Sequence, residues 1–148
     1  MEPVERMAIE RECEQLMIAY ARGVDFRDYD NVASLFTENG ILDVGNPLQG
    51  RAAIAEALTR RPYELRSRHV LTNLFVDVVD RDTARGICYL TLYRHVGPES
   101  LQREPVELES PAAVGHYEDR FARTPDGFRI AQRKLHLAFR NSALLPRL

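Results

Sequence analysis

The strongest constraint on this chain is the order of its patterns: helix-like segments as far as Arg60, then long strand-like segments almost to the end. From Glu5 to Val24, residues Ile9, Cys13, Leu16, Met17, Tyr20 and Val24 recur at steps of three and four. That spacing places them on one stripe of an amphipathic helix. Pro3 stands near its start and Gly23 near its end, where each is tolerated. Tyr29, Val32, Leu35 and Phe36 suggest a shorter second helix, and Arg51 to Arg60 a third with Ile54 and Leu58 inward. Between these, Asn39-Gly40 makes a turn and Ile41 to Val44 reads as a short strand, broken by Gly45, Asn46, Pro47 and Gly50. Beyond Pro62, the segments His69 to Val79, Thr83 to Val96, Ala113 to Arg123 and Phe128 to Phe139 are rich in Val, Ile, Leu, Tyr and Thr. Asp80-Arg81-Asp82 and Thr124-Pro125-Asp126-Gly127 are tight connections, which predict antiparallel hairpins. Gly97 to Pro111, with three prolines and four glutamates, is long enough to be a lid, an oligomer contact or a mobile loop. Helices followed by long antiparallel strands define an α+β domain. Strands of this length must curl, so the expected form is a cone-shaped sheet closed on one face by the N-terminal helices, its open end a pocket.

Composition narrows the function. The 148 residues fit a single domain, residues 1–148, with a substantial core. The 20 basic and 22 acidic side chains are interleaved, and no basic patch recommends nucleic acid or an anionic membrane as partner. Cys13 and Cys88 lie within apolar patterns, which suits buried thiols in a reducing compartment. Acids interrupt the first 15 residues where a signal peptide needs an apolar stretch, and no run reaches the length of a membrane span. A cytoplasmic location is expected.

Two residues stand out as chemistry. Asp25 closes the first helix, and His69 opens the first long strand in Arg-His-Val-Leu-Thr-Asn. A carboxylate at a helix C-terminus is locally unfavourable, because the helix dipole leaves negative partial charge there, so it calls for a partner. An imidazole is a suitable one: the carboxylate fixes its tautomer and leaves the other ring nitrogen free as a base. Tyr20 sits on the buried stripe, where its ring would pack and its hydroxyl would need a partner. Tyr89 and Tyr93 share a strand face, and Tyr117 sits on the next strand. Phenols on one concave face would suit a flat or aromatic substrate, while Tyr89 reads more simply as core. The four histidines, His69, His95, His116 and His136, show neither i, i+4 helical spacing nor a paired-ligand motif, so no metal site is expected. Phosphate-loop, dinucleotide and serine-hydrolase signatures are also missing, and no cofactor is expected.

Four segments carry a resemblance across residues 5–139: Tyr-Ala-Arg-Gly-Val-Asp-Phe-Arg-Asp-Tyr-Asp at 20–30, Arg-His-Val-Leu-Thr-Asn at 68–73, Gly-His-Tyr-Glu-Asp-Arg-Phe at 115–121 and Asp-Gly-Phe-Arg-Ile-Ala-Gln-Arg at 126–133. In order and spacing they resemble the SnoaL-like branch of the nuclear transport factor 2-like superfamily. The resemblance implies a cystatin-like α+β barrel and a homodimer or homotrimer. Members of the branch include scytalone dehydratase, bile-acid dehydratases and hexachlorocyclohexane dehydrochlorinase, whose Asp–His dyad falls on Asp25 and His69. The dehydrochlorinase pattern also implies roles for Asn73, in Thr72-Asn73, and for Arg133 as a cation projecting into the pocket. The plainer role for Arg133 is a salt bridge to Asp119 across the hairpin. The dehydratase pattern implies one for Tyr20. A second histidine of the scytalone dehydratase type matches His95 only with a gap.

These features together suggest a cofactor-independent, dehydratase-like lyase. It would abstract a proton with Asp25 and His69 from a small or medium apolar substrate, cyclic or open-chain, held by Tyr20, Asn73, Tyr93, Tyr117 and Arg133. Alternatives on the same fold are a polyketide cyclase, a ketosteroid-isomerase-like enzyme, and a non-catalytic ligand-binding or scaffold protein.

Overall fold

The computed structural model describes residues 1–146. Helix α1 spans Pro3–Asp25, α2 Tyr29–Ser34, and strand β1 Phe36–Asp43. A short β2 (Pro47–Gln49) precedes α3 (Arg51–Thr59), and the long strands follow as β3 (Leu65–Val78), β4 (Thr83–Val96), β5 (Ala113–Thr124) and β6 (Gly127–Arg140). One turn of helix, α4 (Glu99–Gln102), interrupts the connection between β4 and β5. The strands form one curved, unclosed sheet in the order β2-β1-β6-β5-β4-β3.

The apolar stripe of α1 performs as its spacing predicts: Ile9, Cys13, Leu16, Met17, Tyr20 and Val24 are all buried. They pack on the concave sheet face with Val76, Val78, Ala84, Cys88, Leu90, Phe121, Phe128 and Ile130. Gly86 and Gly23 permit the close approach of α1 to its neighbours. A Cβ on Gly86 would stand 2.2 Å from the Met17 methyl, and one on Gly23 would stand 2.4 Å from Val32 Cγ2. Thus α1 lies tight on β4, and α2 tight on the end of α1.

Three expectations change. The sheet is mixed, because β1 pairs with β6 in parallel; no tight turn joins those two strands to impose the antiparallel sense. Strand β3 begins at Leu65, so His69 lies inside it rather than opening it. Asn39-Gly40 lies within β1 rather than in a turn, and Gly45, Asn46 and Pro47, which looked like strand breakers, lead β1 into a hairpin with β2, Leu42 opposite Leu48. A bulge in β3 between Thr72 and Phe75 carries Asn73 at a positive φ of 51°. Before it the odd residues Leu65, Ser67, His69 and Leu71 turn inward; after it the even residues Val76 and Val78 do. The extra residue bends the strand around the helices.

In β6, Ile130 is fully buried, Leu135 and Leu137 face the interior, and Phe139 is exposed. The large apolar side chains exposed on the sheet's outer face are Val70, Phe75, Tyr89, Tyr93 and Phe139.

Candidate active site

Two arginines tie the end of α1 to the start of β3, one from the connection before β3 and one from the turn after α1. Arg61 Nη1 donates to the Val24 carbonyl at 2.8 Å, and Arg27, in the left-handed turn after the helix (φ 62°), donates to the Leu65 carbonyl at 2.6 Å. Positive charge here offsets the negative end of the helix dipole and fixes Asp25 against β3. The Asp25 carboxylate then accepts three hydrogen bonds. Ser67 Oγ reaches Oδ1 at 2.8 Å, the His69 backbone N–H reaches Oδ2 at 2.8 Å, and His69 Nδ1 lies 2.6 Å from Oδ1. Arg61 Nη2 in turn donates to Ser67 Oγ at 3.2 Å. Both side chains of the pair are almost enclosed, His69 at 8% exposure and Asp25 at 6%. Burial works to raise the Asp25 pKa, but the His69 ring, the His69 backbone and the Ser67 hydroxyl outweigh it and hold the pKa below the ordinary carboxylate value. An ionised Asp25 needs a proton on His69 Nδ1, which leaves Nε2 with a free lone pair.

The His69 ring lines a cavity of about 290 Å³ between the sheet and the helices. Its wall is largely aliphatic, with Leu42, Leu48, Leu58, Leu90, Leu135 and Leu137 among the lining residues. Tyr20 and Tyr117 also line it and meet edge-on, ring centroids 5.9 Å apart. Burial raises the pKa of both phenols, that of Tyr117 well above the ordinary value, so both keep their protons at neutral pH.

The residues expected at the site divide. Asp25, His69, Tyr20 and Tyr117 converge at the cavity. Asn73 does not reach it; it occupies the β3 bulge and is exposed. Tyr93 does not either: the inward residues of β4 are Cys88, Leu90 and Leu92, so Tyr89 and Tyr93 turn outward, and both are exposed. Tyr117 pairs with Cys88 and therefore faces opposite to those two tyrosines. Arg133 is fully buried but absent from the cavity lining. It donates from Nε and Nη2 to the two Asp119 oxygens, each at 2.7 Å, in the cross-strand register that joins them. Its guanidinium lies 4.4 Å from the Tyr20 ring centroid and 4.3 Å from that of Tyr117. Burial works against the charge, yet the Asp119 carboxylate more than compensates and raises the Arg133 pKa. The plainer expectation, a bridge to Asp119, is the geometry found, though inside the protein rather than on its surface. Arg133 supports the tyrosines from beneath.

Sequence reasoning passed over Ser67, Arg61 and Arg94, all of which line the cavity. Ser67 and Arg94 were findable by period two, since they continue the inward rows of β3 and β4. Arg61, in the connection before β3, gives no such signal.

Two further histidines meet through sheet register. His116 pairs with His136, their rings stacked at 4.8 Å, and with Glu118 they offer donor atoms all within 4.8 Å of one another. This set could hold a divalent ion, although no spacing along the chain announced it, and it stands on the outer face away from the cavity. His95 contacts Ser100 instead, Nδ1 to Oγ 2.6 Å. Among the described residues, no helix is long and apolar enough to cross a membrane.

Comparison with known proteins agrees with this picture. Residues 5–134 match the family described as the SnoaL-like domain. No curated protein matches the sequence. Among solved structures, a nuclear transport factor 2-like protein with a cystatin-like fold from Novosphingobium aromaticivorans is 24% identical, with TM-score 0.76, over 95% of this chain and 89% of that one. A candidate scytalone dehydratase from the same organism is 17% identical, with TM-score 0.79, over 95% and 91% of the two chains. A type 2 hexachlorocyclohexane dehydrochlorinase is 15% identical, with TM-score 0.79, over 95% and 92%. At these identities the likeness is one of fold.

Proposed function

The chain belongs to the SnoaL-like domain family, and we propose that it is a cofactor-independent lyase in which His69 is the base and Asp25 its orienting partner. The observation that carries this reading is the 2.6 Å contact between His69 Nδ1 and Asp25 Oδ1 at the wall of a mostly aliphatic cavity. A scaffold protein has no use for a nearly buried imidazole held by a carboxylate at the wall of a cavity. His69 Nε2 takes a proton from a carbon beside a carbonyl, and the ionised Asp25 stabilises the imidazolium that forms. The carbonyl oxygen gathers negative charge and accepts hydrogen bonds from Tyr20 and Tyr117. The C–H electron pair becomes a double bond as the C–O bond to a β-hydroxyl breaks, and the departing hydroxide takes the proton from His69 and leaves as water. A positioned base contributes roughly 10²–10⁴-fold to such a step, and aimed donors a comparable factor. The dehydratase and dehydrochlorinase names of the structural neighbours favour elimination over isomerisation or cyclisation.

The test uses the first half of the reaction. Cyclic β-hydroxy ketones incubated with the protein in D₂O should gain deuterium beside the carbonyl or lose water, followed by NMR. Both processes should vanish in His69→Gln and in Asp25→Asn. Retention of wild-type exchange in both variants would remove the dyad from the mechanism.

A further inference from the structure

Among the described residues, the side chain of Arg94 has no partner. It lies on the inward row of β4 beyond Leu92 and lines the cavity. It makes no side-chain hydrogen bond or ion pair there, and its Nε is buried with no partner. Among the described residues, the one other guanidinium lining the cavity is that of Arg61, which already spends both terminal nitrogens on Val24 and Ser67. No Asp or Glu among the described residues lines the cavity. Buried charge is ordinarily paired, because desolvation without compensation is costly. Here burial and the neighbouring Arg61 charge both push the Arg94 pKa down, which marks the same lack of a counter-charge.

The position is specific. Ser67 pairs with Arg94 and His69 pairs with Leu92 across the β3–β4 ladder. His69 and Arg94 are therefore diagonal neighbours on one face, on the order of 7–8 Å apart. A group held by Arg94 would bring the carbon one or two bonds away toward His69 Nε2. The cavity, about 290 Å³, is roughly twice the ~150 Å³ space that takes one benzene, enough for a body of about two rings.

We propose that the substrate is an amphipathic carboxylate, its apolar body against the leucines and its carboxylate held by the planar fork of Arg94. Arginine fits this role, since it offers fixed parallel donors and keeps its charge when partly buried. The proposal rests on the lyase reading for the chemistry and adds the anion.

Binding of 2-naphthoate and of 2-naphthamide, matched in shape and differing in charge, tests it by isothermal titration calorimetry. The wild type should bind the acid at least tenfold more tightly. Arg94→Leu should abolish that preference while leaving amide binding within about twofold, and Arg94→Lys should keep part of it. Circular dichroism and melting establish that each variant is folded. Equal affinity of the wild type for acid and amide would overturn the proposal. So would a preference that survives in Arg94→Leu, or no binding of naphthoate at millimolar concentration. Asp25→Asn should retain the preference for the acid. Loss of deuterium exchange as a test of the dyad and loss of acid preference as a test of Arg94 therefore fail independently.

Discussion

Asp25→Asn exposes the logic of the site, because the carboxylate accepts three hydrogen bonds and an amide offers one acceptor atom. Two placements of the amide are available. With its oxygen at the Oδ1 position it still accepts from Ser67 and from His69 Nδ1, but its NH₂ then faces the His69 backbone N–H, donor against donor. A buried amide left in that state costs about 1–3 kcal/mol. With its oxygen at the Oδ2 position the backbone bond survives, and the NH₂ points at His69 Nδ1 and Ser67 Oγ. The hydroxyl can rotate to accept, and the imidazole can accept at Nδ1 by moving its proton to Nε2. The second placement leaves only the Ser67 hydroxyl proton without its acceptor and sets no donor against donor, so it is the one expected, and it removes the base. Stability should still fall, since charge-assisted bonds become neutral ones of about half their strength. A loss of about 1–3 kcal/mol corresponds to roughly 2–4 °C in melting temperature per kcal/mol for a chain of this size. Activity should fall about 10²–10⁴-fold. Long-range ¹⁵N–¹H correlation spectra of the His69 ring distinguish the tautomers without any substrate. The wild type should show the proton on Nδ1 and the variant on Nε2. The same tautomer in both proteins would refute the orienting role given to Asp25.

Other expectations follow from the same geometry. Breaking the buried Arg133–Asp119 pair from one side, as in Asp119→Asn or Arg133→Leu, should cost about 3–5 kcal/mol in urea unfolding; a loss under about 1 kcal/mol would show that the pair does not carry the packing of Tyr20 and Tyr117. Asp25 has a folded pKa below its ordinary value of 3.8, so the stability it adds is present above that value and is lost as pH falls through the lower, folded one. The stability gap between wild type and Asp25→Asn should therefore stay constant at neutral pH and close only below about 3.8; a gap that closes at neutral pH contradicts the depressed carboxylate. The dyad needs no metal, so turnover should survive exhaustive chelation, and a loss restored by one divalent ion would replace the imidazole base with metal-activated water. We propose a homodimer or homotrimer through the outer sheet face, where Val70, Phe75, Tyr89 and Phe139 are exposed; light scattering that shows a monomer at micromolar concentration overturns it.

What the sequence disclosed and what it concealed follow from the range of each signal. Helix α1 was legible because a stripe of period three and four is written within one segment, and all six residues of it are buried. The hairpins were legible because their turns are short. Parity was harder. Tyr93 looked like a pocket residue because it shares a strand face with Tyr89, with Tyr117 on the next strand, but whether a residue on β4 faces in or out depends on the register with β5, where Cys88 meets Tyr117. Asn73 was misplaced for a related reason: a single extra residue in β3 switches the inward row from odd to even, and nothing short of the pairing with β4 reveals it.

Arg133 shows the same limit from the other side. Its resemblance to a pocket cation was a matter of position along the chain, whereas its role depends on Asp119 standing opposite it and on two aromatic rings arriving from α1 and β5. Paired on one edge with Asp119 and packed against two aromatic rings, that guanidinium has little left to offer a ligand; only Nη1 is without a hydrogen bond, and it is buried. Arg94 inverts this arrangement. It is only partly buried, it lines the cavity, and none of its donors is engaged within the described protein. Of these two arginines, one on β6 and one on β4, the satisfied one therefore belongs to the framework and the unsatisfied one to the ligand. Charge counting across the cavity makes that distinction where sequence position could not.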